Sequence, residues 1–169
     1  DEVDSVLEEI ENELENIDQY LYSSTFQEKL KEQITKFNKY FSSVSYELYG
    51  EKYALTYDII NNKKTNKPVY KFSTFNSNMS SGKKQGEILC FDLAYIMFAD
   101  EEGISCLHFL LNDKKELMHD NQLSKVADFV MKKNIQLVIS ILKDKLPDYL
   151  LNKANVVIEL SQEDKLFRI

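Results

Sequence analysis

The chain has 169 residues, 43% of them hydrophobic, with ten tyrosines, ten phenylalanines, four glycines and two prolines. This length suits one compact domain with an appendage, and the composition excludes collagen-like, low-complexity and wholly disordered chains. The formal charge is −7, but residues 1–27 hold nine acidic residues and no basic one, which leaves 19 acidic against 21 basic residues elsewhere. The acidity therefore belongs to one N-terminal segment.

This N-terminal segment has the apolar spacing of a coiled coil. Its apolar residues recur at alternating intervals of four and three: Val3, Leu7, Ile10, Leu14, Ile17 and Leu21. Such an a/d seam predicts an exposed helix about 30 Å long that pairs with a partner helix; the alternative is a helix packed on its own domain. Ser24 and Thr25 interrupt the seam, Thr25 and Glu28 have the form of a capping box, and a second helix follows. We expect a helical coiled-coil arm over 1–48 and an α/β lobe over 49–169.

After Gly50 the pattern changes to that of strands and shorter helices. β-Branched and aromatic residues predict a hairpin, and a long apolar run predicts a buried helix. The predicted elements are strands Tyr53–Ile60 and Val69–Phe75, a buried helix Ile88–Ala99, strand Cys106–Leu111, helix Gln122–Lys133, strand Ile135–Leu142, helix Pro147–Ala154, and strands Asn155–Leu160 and Lys165–Ile169. Strands that alternate with helices indicate crossover connections. The predicted fold class is therefore α/β, with a mostly parallel sheet and flanking helices.

Cysteine usage and hydropathy indicate the compartment. Cys90 and Cys106 lie in apolar runs without CxxC or Cys/His spacing, which predicts neither a disulfide framework nor a zinc site and favours the cytoplasm. No run approaches the ~18 apolar residues of a membrane span, and no signal peptide opens the sequence. Because the chain begins without Met and within a helical pattern, we expect it to be part of a longer protein.

The segment Asn78–Glu87 is small, polar and cationic, and it leads into the predicted buried helix. Hydroxyl groups, lysines and the amides of a helix N-terminus together favour an anion or a phosphate group. The alternative is that Ser80 or Ser81 only caps the helix. The sequence has no Walker A motif, because Ser77 and Lys84 stand where that motif needs a glycine and a hydroxyl residue.

A second signal is the apolar strand that ends in Asn112 and Asp113. Ligands bind beyond the carboxyl ends of strands in open α/β sheets, where an aspartate holds Mg²⁺ through water. The alternative is an ordinary strand exit in which both residues form a turn. The two histidines exclude a histidine-based metal cluster; we expect His108 in the core or the sheet and His119 in a loop.

Other charged residues carry weaker signals. Asp100, Glu101 and Glu102 are expected to be solvated turn residues. Six lysines cluster around the hairpin and the polar loop: Lys63, Lys64, Lys67, Lys71, Lys83 and Lys84. Such a patch attracts nucleic acid electrostatically, although lysine-rich loops are usually only solvated.

The order of these elements resembles the C-terminal lobe of an ABC ATPase head of the SMC or RecN type. Gly82–Lys84 precedes the stretch Cys90–Ala94, the strand Phe109–Asp113 follows, and Lys165–Ile169 ends the chain, as in the uncharacterised YydD-type domain at the C-terminal end of such coiled-coil ATPases. The resemblance covers essentially the whole chain and implies a P-loop NTPase-like fold.

The resemblance also implies a nucleotide-facing loop. Ser80, Ser81 and Gly82 match the ABC signature, which contacts the γ-phosphate of ATP held by the opposite subunit. Lys83 stands where many relatives carry Gln or Glu. A hydroxyl group, a glycine that permits close backbone approach and a helix N-terminus all favour phosphate.

By the same resemblance Asp113 matches the Walker B aspartate, which orients Mg²⁺ for catalysis, and Asp120 matches the D-loop at the dimer interface. Two departures concern the chemistry. Lys114 replaces the glutamate expected after the Walker B aspartate; if the register slips by one, Asn112 and Asp113 stand in place of Asp-Glu instead. Ile141–Lys143 lack the switch histidine. The loss of a positioned general base typically costs ~10²–10⁴-fold in rate, so a slow or lost ATPase is expected.

The resemblance therefore implies the C-terminal half of an ATPase head, with ATP and Mg²⁺ held between two heads. The Walker A lobe would come from the same protein or another chain, the heads or coiled coils would form a homodimer, and DNA is a candidate partner in DNA repair, chromosome maintenance or anti-phage defence. No membrane partner is expected, and the isolated chain should not hydrolyse ATP. The alternative is a catalytically degenerate coiled-coil interaction module.

Overall fold

The computed structural model describes residues 2–75, 81–113 and 120–161, with the backbone alone at 81–85 and 120. In chain order these ranges hold α1 (Glu2–Leu21), α2 (Ser24–Tyr49), β1 (Ala54–Asn61), β2 (Pro68–Phe75), α3 (Ser81–Glu102), β3 (Phe109–Asn112), α4 (Asp120–Lys132), β4 (Gln136–Ile139), a 3-10 turn (Lys143–Lys145) and α5 (Asp148–Leu151). β1 and β2 form one two-stranded sheet, and β3 and β4 form another. The predicted α/β class is confirmed, although both sheets are small. Within these ranges no helix combines the length and apolarity needed to cross a membrane.

α1 exposes the apolar seam that the sequence predicts. None of its described residues is buried, and the exposed fraction along the seam runs from 65% at Val3 to 47% at Ile17. An apolar stripe of this kind normally lies against another helix or a core. The exposure argues against a helix packed along its own domain.

The break between α1 and α2 falls at Ser23. Its backbone is extended, with φ −69° and ψ 154°, and its side-chain oxygen accepts a hydrogen bond from the Phe26 N–H at 3.2 Å. Ser23 is therefore the N-cap of α2. The predicted capping box at Thr25 and Glu28 is wrong by two residues, because both already lie inside the helix.

The joint between the two helices is held by the hairpin. The Tyr70 hydroxyl donates to the Leu21 carbonyl oxygen at 2.6 Å, and the Tyr22 hydroxyl donates to the carbonyl oxygen of Pro68. The rings of Tyr22 and Tyr70 stack with centroids 5.3 Å apart. Two reciprocal hydrogen bonds and a ring contact thus fix where α1 leaves the body.

The hairpin forms as predicted. β1 and β2 pair antiparallel along their full length, with Ala54 opposite Phe75 at the open end. The loop between them closes on a hydrogen bond from the Asn62 N–H to the Lys67 carbonyl oxygen at 2.8 Å. Asn66 has φ 54°, a left-handed conformation that asparagine tolerates better than most residues.

The core lies between α2, α3 and α4. The rings of Phe37 and Phe41 from α2 contact Phe91 of α3, with centroids 4.9 and 5.8 Å away. The fully buried aliphatic side chains around them include Val44, Leu48, Leu89, Leu93 and Val126. Each such burial stabilises the fold by about 1.5–3 kcal/mol. The second half of α2 is therefore anchored in the core.

α3 ends in a left-handed cap at Gly103, where φ is +67°. The Ile104 N–H donates to the Ala99 carbonyl oxygen at 2.8 Å, and the Gly103 N–H donates to that of Asp100 at 3.4 Å. These two bonds make a Schellman motif, which satisfies the last helical carbonyls and turns the chain. The predicted buried helix is therefore longer at both ends than the apolar run at Ile88–Ala99.

β3 and β4 pair in parallel through α4, as the predicted crossover requires. The register sets Leu110 beside Leu137 and Asn112 beside Ile139. The parallel prediction holds for this pair, whereas the hairpin is a separate antiparallel sheet. The predicted strand Asn155–Leu160 forms no ladder within the described residues, and Lys165–Ile169 lies outside them.

Candidate functional site

The predicted phosphate-binding residues lie at the start of α3. Ser81 is the first residue of the helix, Gly82 and Lys83 lie in its first turn, and Ser80 falls outside the described residues. The sequence predicts a loop as far as Gly86, but Lys83, Lys84 and Gln85 are good helix formers and the helix begins earlier. Because the first N–H groups of a helix have no intrahelical partner, the amides of this turn are the donors that an anion would use.

Gly86 lets this part of α3 approach α2. A Cβ at Gly86 would lie 2.5 Å from Tyr49 Cζ, which is closer than carbon atoms approach. The Tyr49 hydroxyl is buried without a hydrogen-bond partner among the described residues, and burial raises the pKa of Tyr49 far above its ordinary value. The start of α3 thus rests on an uncharged ring. The sequence places Gly86 in a polar loop and misses this role; a glycine between helix-forming residues is the signal that was available.

The second predicted group lies at the carboxyl edge of β3 and β4. Asp113 directly follows β3 and is exposed. The Ser140 N–H, directly after β4, donates to the Asn112 carbonyl oxygen at 3.0 Å, so the two strand ends lie side by side. The side-chain Nδ2 of Asn112 is buried without an acceptor in the part of the chain that the structure describes. The structure therefore brings Asp113 and Ser140 to one edge, as parallel pairing predicts.

Asp120 is the first residue of α4. Lys114 and His119, which the sequence places between β3 and α4, lie outside the described residues. The acidic N-terminal position suits Asp120, because a carboxylate is favourable near the positive end of a helix. Its role at a dimer interface stays a prediction.

The predicted lysine patch is partly neutralised. Lys67 lies 3.4 Å from a carboxylate oxygen of Asp18 in α1, and Lys71 stands opposite Asp58 in the hairpin register. Lys63, at the hairpin tip, is exposed. Paired lysines contribute less to a long-range field, so the hairpin is a weaker nucleic-acid surface than its lysine count indicates.

Acidic residues at the end of α3 are paired rather than only solvated. Glu102 lies 3.0 Å from Lys36 Nζ and 3.4 Å from the Gln33 amide nitrogen, and the hydrogen bond from Lys36 holds the pKa of Glu102 below its ordinary value. Asp100 lies 2.9 Å from Nε2 of His108, which is partly exposed just before β3 rather than in the core. Sequence periodicity misses both contacts because they join residues across a turn and across two helices.

Three solved structures align with this chain. One solved chain is described as "Structural biochemistry of ATP-driven dimerization and DNA stimulated activation of SMC ATPases". It aligns at 20% identity with a TM-score of 0.50, over 81% of this chain and 83% of that one. The Smc head domain of Pyrococcus furiosus with an extended coiled coil, bound to the C-terminal domain of ScpA, aligns at 19% identity with a TM-score of 0.47, over 86% of this chain and 38% of that one. The SmcHead bound to the C-winged helix domain of ScpA aligns at 18% identity with a TM-score of 0.37, over 72% and 37%. No curated protein matches the sequence.

The family comparison covers most of the chain. Residues 44–169 match the sequence profile of DUF2326, described as "Uncharacterised protein conserved in bacteria". The match begins in the last part of α2 and includes every later element. The chain therefore belongs to the DUF2326 family, and its fold is similar to that of the solved chain from the work on SMC ATPases.

Proposed function

We propose that this chain is the C-terminal half of an SMC-like or RecN-like ABC ATPase head, of the kind that carries a YydD-type domain. Residues 1–48 supply the coiled-coil arm and, from Phe37 onward, the part of α2 that anchors this arm in the core. Residues 49–169 form the lobe that supplies the signature and a Walker B-like element for ATP-dependent head dimerisation. The Walker A lobe of the same protein completes the head. The protein acts in the cytoplasm, in DNA repair, chromosome maintenance or anti-phage defence.

The observation that supports this proposal is the sheet of β3 and β4, which has two strands and one exposed face among the described residues. Parallel sheets in α/β proteins are covered on both faces. Here Leu110 and Leu137 pack on the core, whereas Phe109 and Leu111 are 38% and 71% exposed on the alternate positions of β3. An exposed apolar face of this kind marks an interface. A second lobe laid against it would complete the sheet, as in an ATPase head.

The residues at the two predicted groups fit ATP with its magnesium ion. The first-turn amides of α3, with Lys83 beside them, favour a phosphate group. At the carboxyl edge the exposed Asp113 is suited to hold Mg²⁺ through water. The buried Nδ2 of Asn112 next to it is a donor whose acceptor would come from outside the described residues. When bound, the ion neutralises charge on the phosphates; the chain's own part is to orient it and to present amide donors.

The departures at Lys114 and Ile141–Lys143 bear on turnover. Without a glutamate after Asp113 and without a switch histidine, the general base that activates water is weakened. A binding switch with slow hydrolysis fits these residues better than a fast ATPase. This chain alone should not hydrolyse ATP, because the Walker A element belongs to the other lobe.

The arm proposal rests on α1. Its seam is exposed from Val3 to Ile17, and its other faces are acidic. A second helix over the seam would bury the apolar side chains, and a basic strip on that helix would complement the acidic flanks. Homodimerisation follows through the heads or through this arm, with DNA as a candidate partner of the exposed hairpin tip at Lys63 and Lys64.

The proposal is tested by reuniting the chain with its N-terminal lobe. ATP should drive dimerisation of the complete head in analytical ultracentrifugation. Ser80→Arg should abolish this response, because the long arginine side chain would occupy the space next to the phosphate group. Ser43→Arg, on an exposed position of α2, is the matched control and should dimerise normally. If ATP leaves the association unchanged, or if Ser80→Arg dimerises as the control does, the proposal is wrong.

A second candidate is a coiled-coil interaction module with a degenerate ATPase fold. Lys114 and the missing switch histidine favour it. This module would associate through α1 whether or not ATP is present, so an ATP-independent dimer that Leu14→Glu dissociates identifies it. A dimer that requires ATP and survives Leu14→Glu identifies the head function instead.

A further inference from the structure

Three side chains of metal-binding type meet between the end of α3 and the start of β3, although the spacing of the cysteines and histidines in the sequence predicts no zinc site. A carboxylate oxygen of Asp100, the sulfur of Cys106 and an imidazole nitrogen of His108 all lie within 4.8 Å of one another. The side chains of Asp100 and His108 are 53% and 37% exposed, and Cys106 is a partly buried free thiol. The cluster is therefore open to an ion from solvent. It lies at the opposite end of α3 from the predicted phosphate-binding turn, about 30 Å away at 1.5 Å per residue.

The backbone holds these three residues in place without an ion. The Asp100 carbonyl oxygen accepts from the Gly103 N–H in the helix cap, and the His108 carbonyl oxygen accepts from the Gln136 N–H at 2.8 Å. Cys106, between them, packs against the core. Each residue is thus held by a different contact. Asp100 is held by the end of α3, Cys106 by its packing on the core, and His108 by the hydrogen bond to Gln136. A site held in this way loses little conformational entropy when an ion binds.

The donor set selects the class of ion. A thiolate, an imidazole and a carboxylate suit Zn²⁺, whereas Mg²⁺ and Ca²⁺ prefer oxygen ligands alone. Ligand atoms around a tetrahedral zinc ion lie about 3–4 Å apart, which small side-chain rotations reach from the observed separations. Zinc would replace the hydrogen bond of 2.9 Å between Asp100 and His108, and the Cys106 thiol would release its proton to water.

We propose that Asp100, Cys106 and His108 form a zinc-binding site that joins the C-terminal end of α3 to the start of β3, with water as the fourth ligand. The ion ties together two elements whose connection is otherwise a short irregular segment. This site is independent of ATP, because none of its residues belongs to the predicted nucleotide-facing groups.

The test is a calorimetric titration of the metal-free 169-residue chain with Zn²⁺ alone. One Zn²⁺ should bind per chain, and Mg²⁺ should not compete for it. Cys106→Ser and His108→Ala should each weaken the affinity by more than ~10-fold, since loss of even an outer partner of a metal ligand costs about 10–100-fold. Glu101→Gln, which removes an exposed carboxylate one residue from Asp100 but no proposed ligand, is the control and should bind as the wild type does.

Alkylation of the unmodified chain provides a readout that needs no variant to fold. Zn²⁺ should slow the reaction of Cys106 with iodoacetamide, while the buried Cys90 stays unreactive and reports that the fold is intact. The proposal is overturned if the wild-type chain binds no Zn²⁺, if Cys106 reacts at the same rate with and without Zn²⁺, or if the Cys106 and His108 variants retain wild-type affinity.

Discussion

The ring of Tyr49 fills the space that a side chain at Gly86 would occupy, because a Cβ there would meet Tyr49 Cζ at 2.5 Å. Tyr49 is the last residue of α2, and Gly86 lies near the start of α3. Their contact sets the position of the predicted phosphate-binding turn relative to the core. A glycine therefore stands inside a helix here, although glycine destabilises a helix by about 0.5–1 kcal/mol relative to alanine.

We expect Gly86→Ala to destabilise the protein by a net ~1 kcal/mol, within a range of about 0–2 kcal/mol. Alanine gains about 1 kcal/mol of helix propensity, but the clash with Tyr49 costs about 1–3 kcal/mol. The measurement is chemical denaturation of four proteins in a double-mutant cycle with Tyr49→Ala. In the Tyr49→Ala background the sign should reverse, with Gly86→Ala stabilising. Equal effects in both backgrounds would show that the ring does not restrict residue 86.

Tyr49→Phe should stabilise the protein most at alkaline pH. Burial raises the pKa of Tyr49 in the folded state, whereas an unfolded tyrosine ionises near about pH 10. The neutral Tyr49 ring therefore contributes its full share to the free energy of unfolding below about pH 10. This share is lost as the pH rises further, because Tyr49 loses its hydroxyl proton in the unfolded chain before it does so in the folded protein. Phenylalanine removes this loss, so the midpoint of alkaline unfolding should move to higher pH.

Tyr46→Phe, at a 60% exposed position of the same helix, is the control for loss of a tyrosine hydroxyl. Circular dichroism across a pH series measures both variants. At pH 7 Tyr49→Phe should be neutral or slightly stabilising, since the hydroxyl has no hydrogen-bond partner among the described residues. A clear loss of stability at pH 7 would contradict this description of the hydroxyl.

Ser45 is a fully buried polar residue that ties α2 to the chain before β1. Its hydroxyl accepts from the Tyr53 N–H at 2.9 Å and donates to the Ser42 carbonyl oxygen at 3.2 Å. Ser45→Ala should cost about 0.5–1.5 kcal/mol, because it removes the hydrogen bond that the buried Tyr53 N–H donates. Ser43→Ala, at an exposed position of the same helix, should change the free energy of unfolding by less than about 0.5 kcal/mol. Similar effects of the two changes would argue against the hydrogen bond to Tyr53.

Local sequence patterns predicted the elements better than their ends. The alternation in β1 and β2 located both strands to within about a residue, because a period of two is set by the strand itself. The apolar run at Ile88–Ala99 locates α3, but the polar residues of the first turns of that helix resemble a loop in the sequence. Its true C-terminal end depends on Gly103, whose left-handed cap is a local signal that composition alone does not reveal.

The sequence does not predict the side-chain contacts between different helices and strands. The approach of Tyr49 to Gly86 joins residues on two helices, and the bond between Asp100 and His108 depends on the turn at Gly103. Residue types predicted neither, because each type also occurs in solvated loops and cores. The parallel pairing of β3 and β4 was predictable, since a crossover helix leaves few other arrangements.

Tyr70 links the hairpin to the joint between α1 and α2, so it should control the direction of the arm. Tyr70→Phe removes the hydrogen bond to the Leu21 carbonyl oxygen and should cost about 0.5–1.5 kcal/mol. The distance distribution between spin labels at Glu9 and Lys64 should broaden in double electron–electron resonance. Tyr57→Phe, in the same aromatic cluster, is the control. An unchanged distribution for Tyr70→Phe would show that the hairpin does not orient α1.

The most direct measurement of the central claim is the affinity of the N-terminal Walker A lobe for this chain. The exposed face of β3 should bind that lobe, and Leu111→Glu, at a 71% exposed position, should weaken binding by at least ~10-fold because it buries an unpaired carboxylate. Tyr46→Glu, on the surface of α2, should bind as the wild type does. Failure of the two lobes to associate, or equal affinity of both variants, would contradict the assignment of this chain as half of an ATPase head.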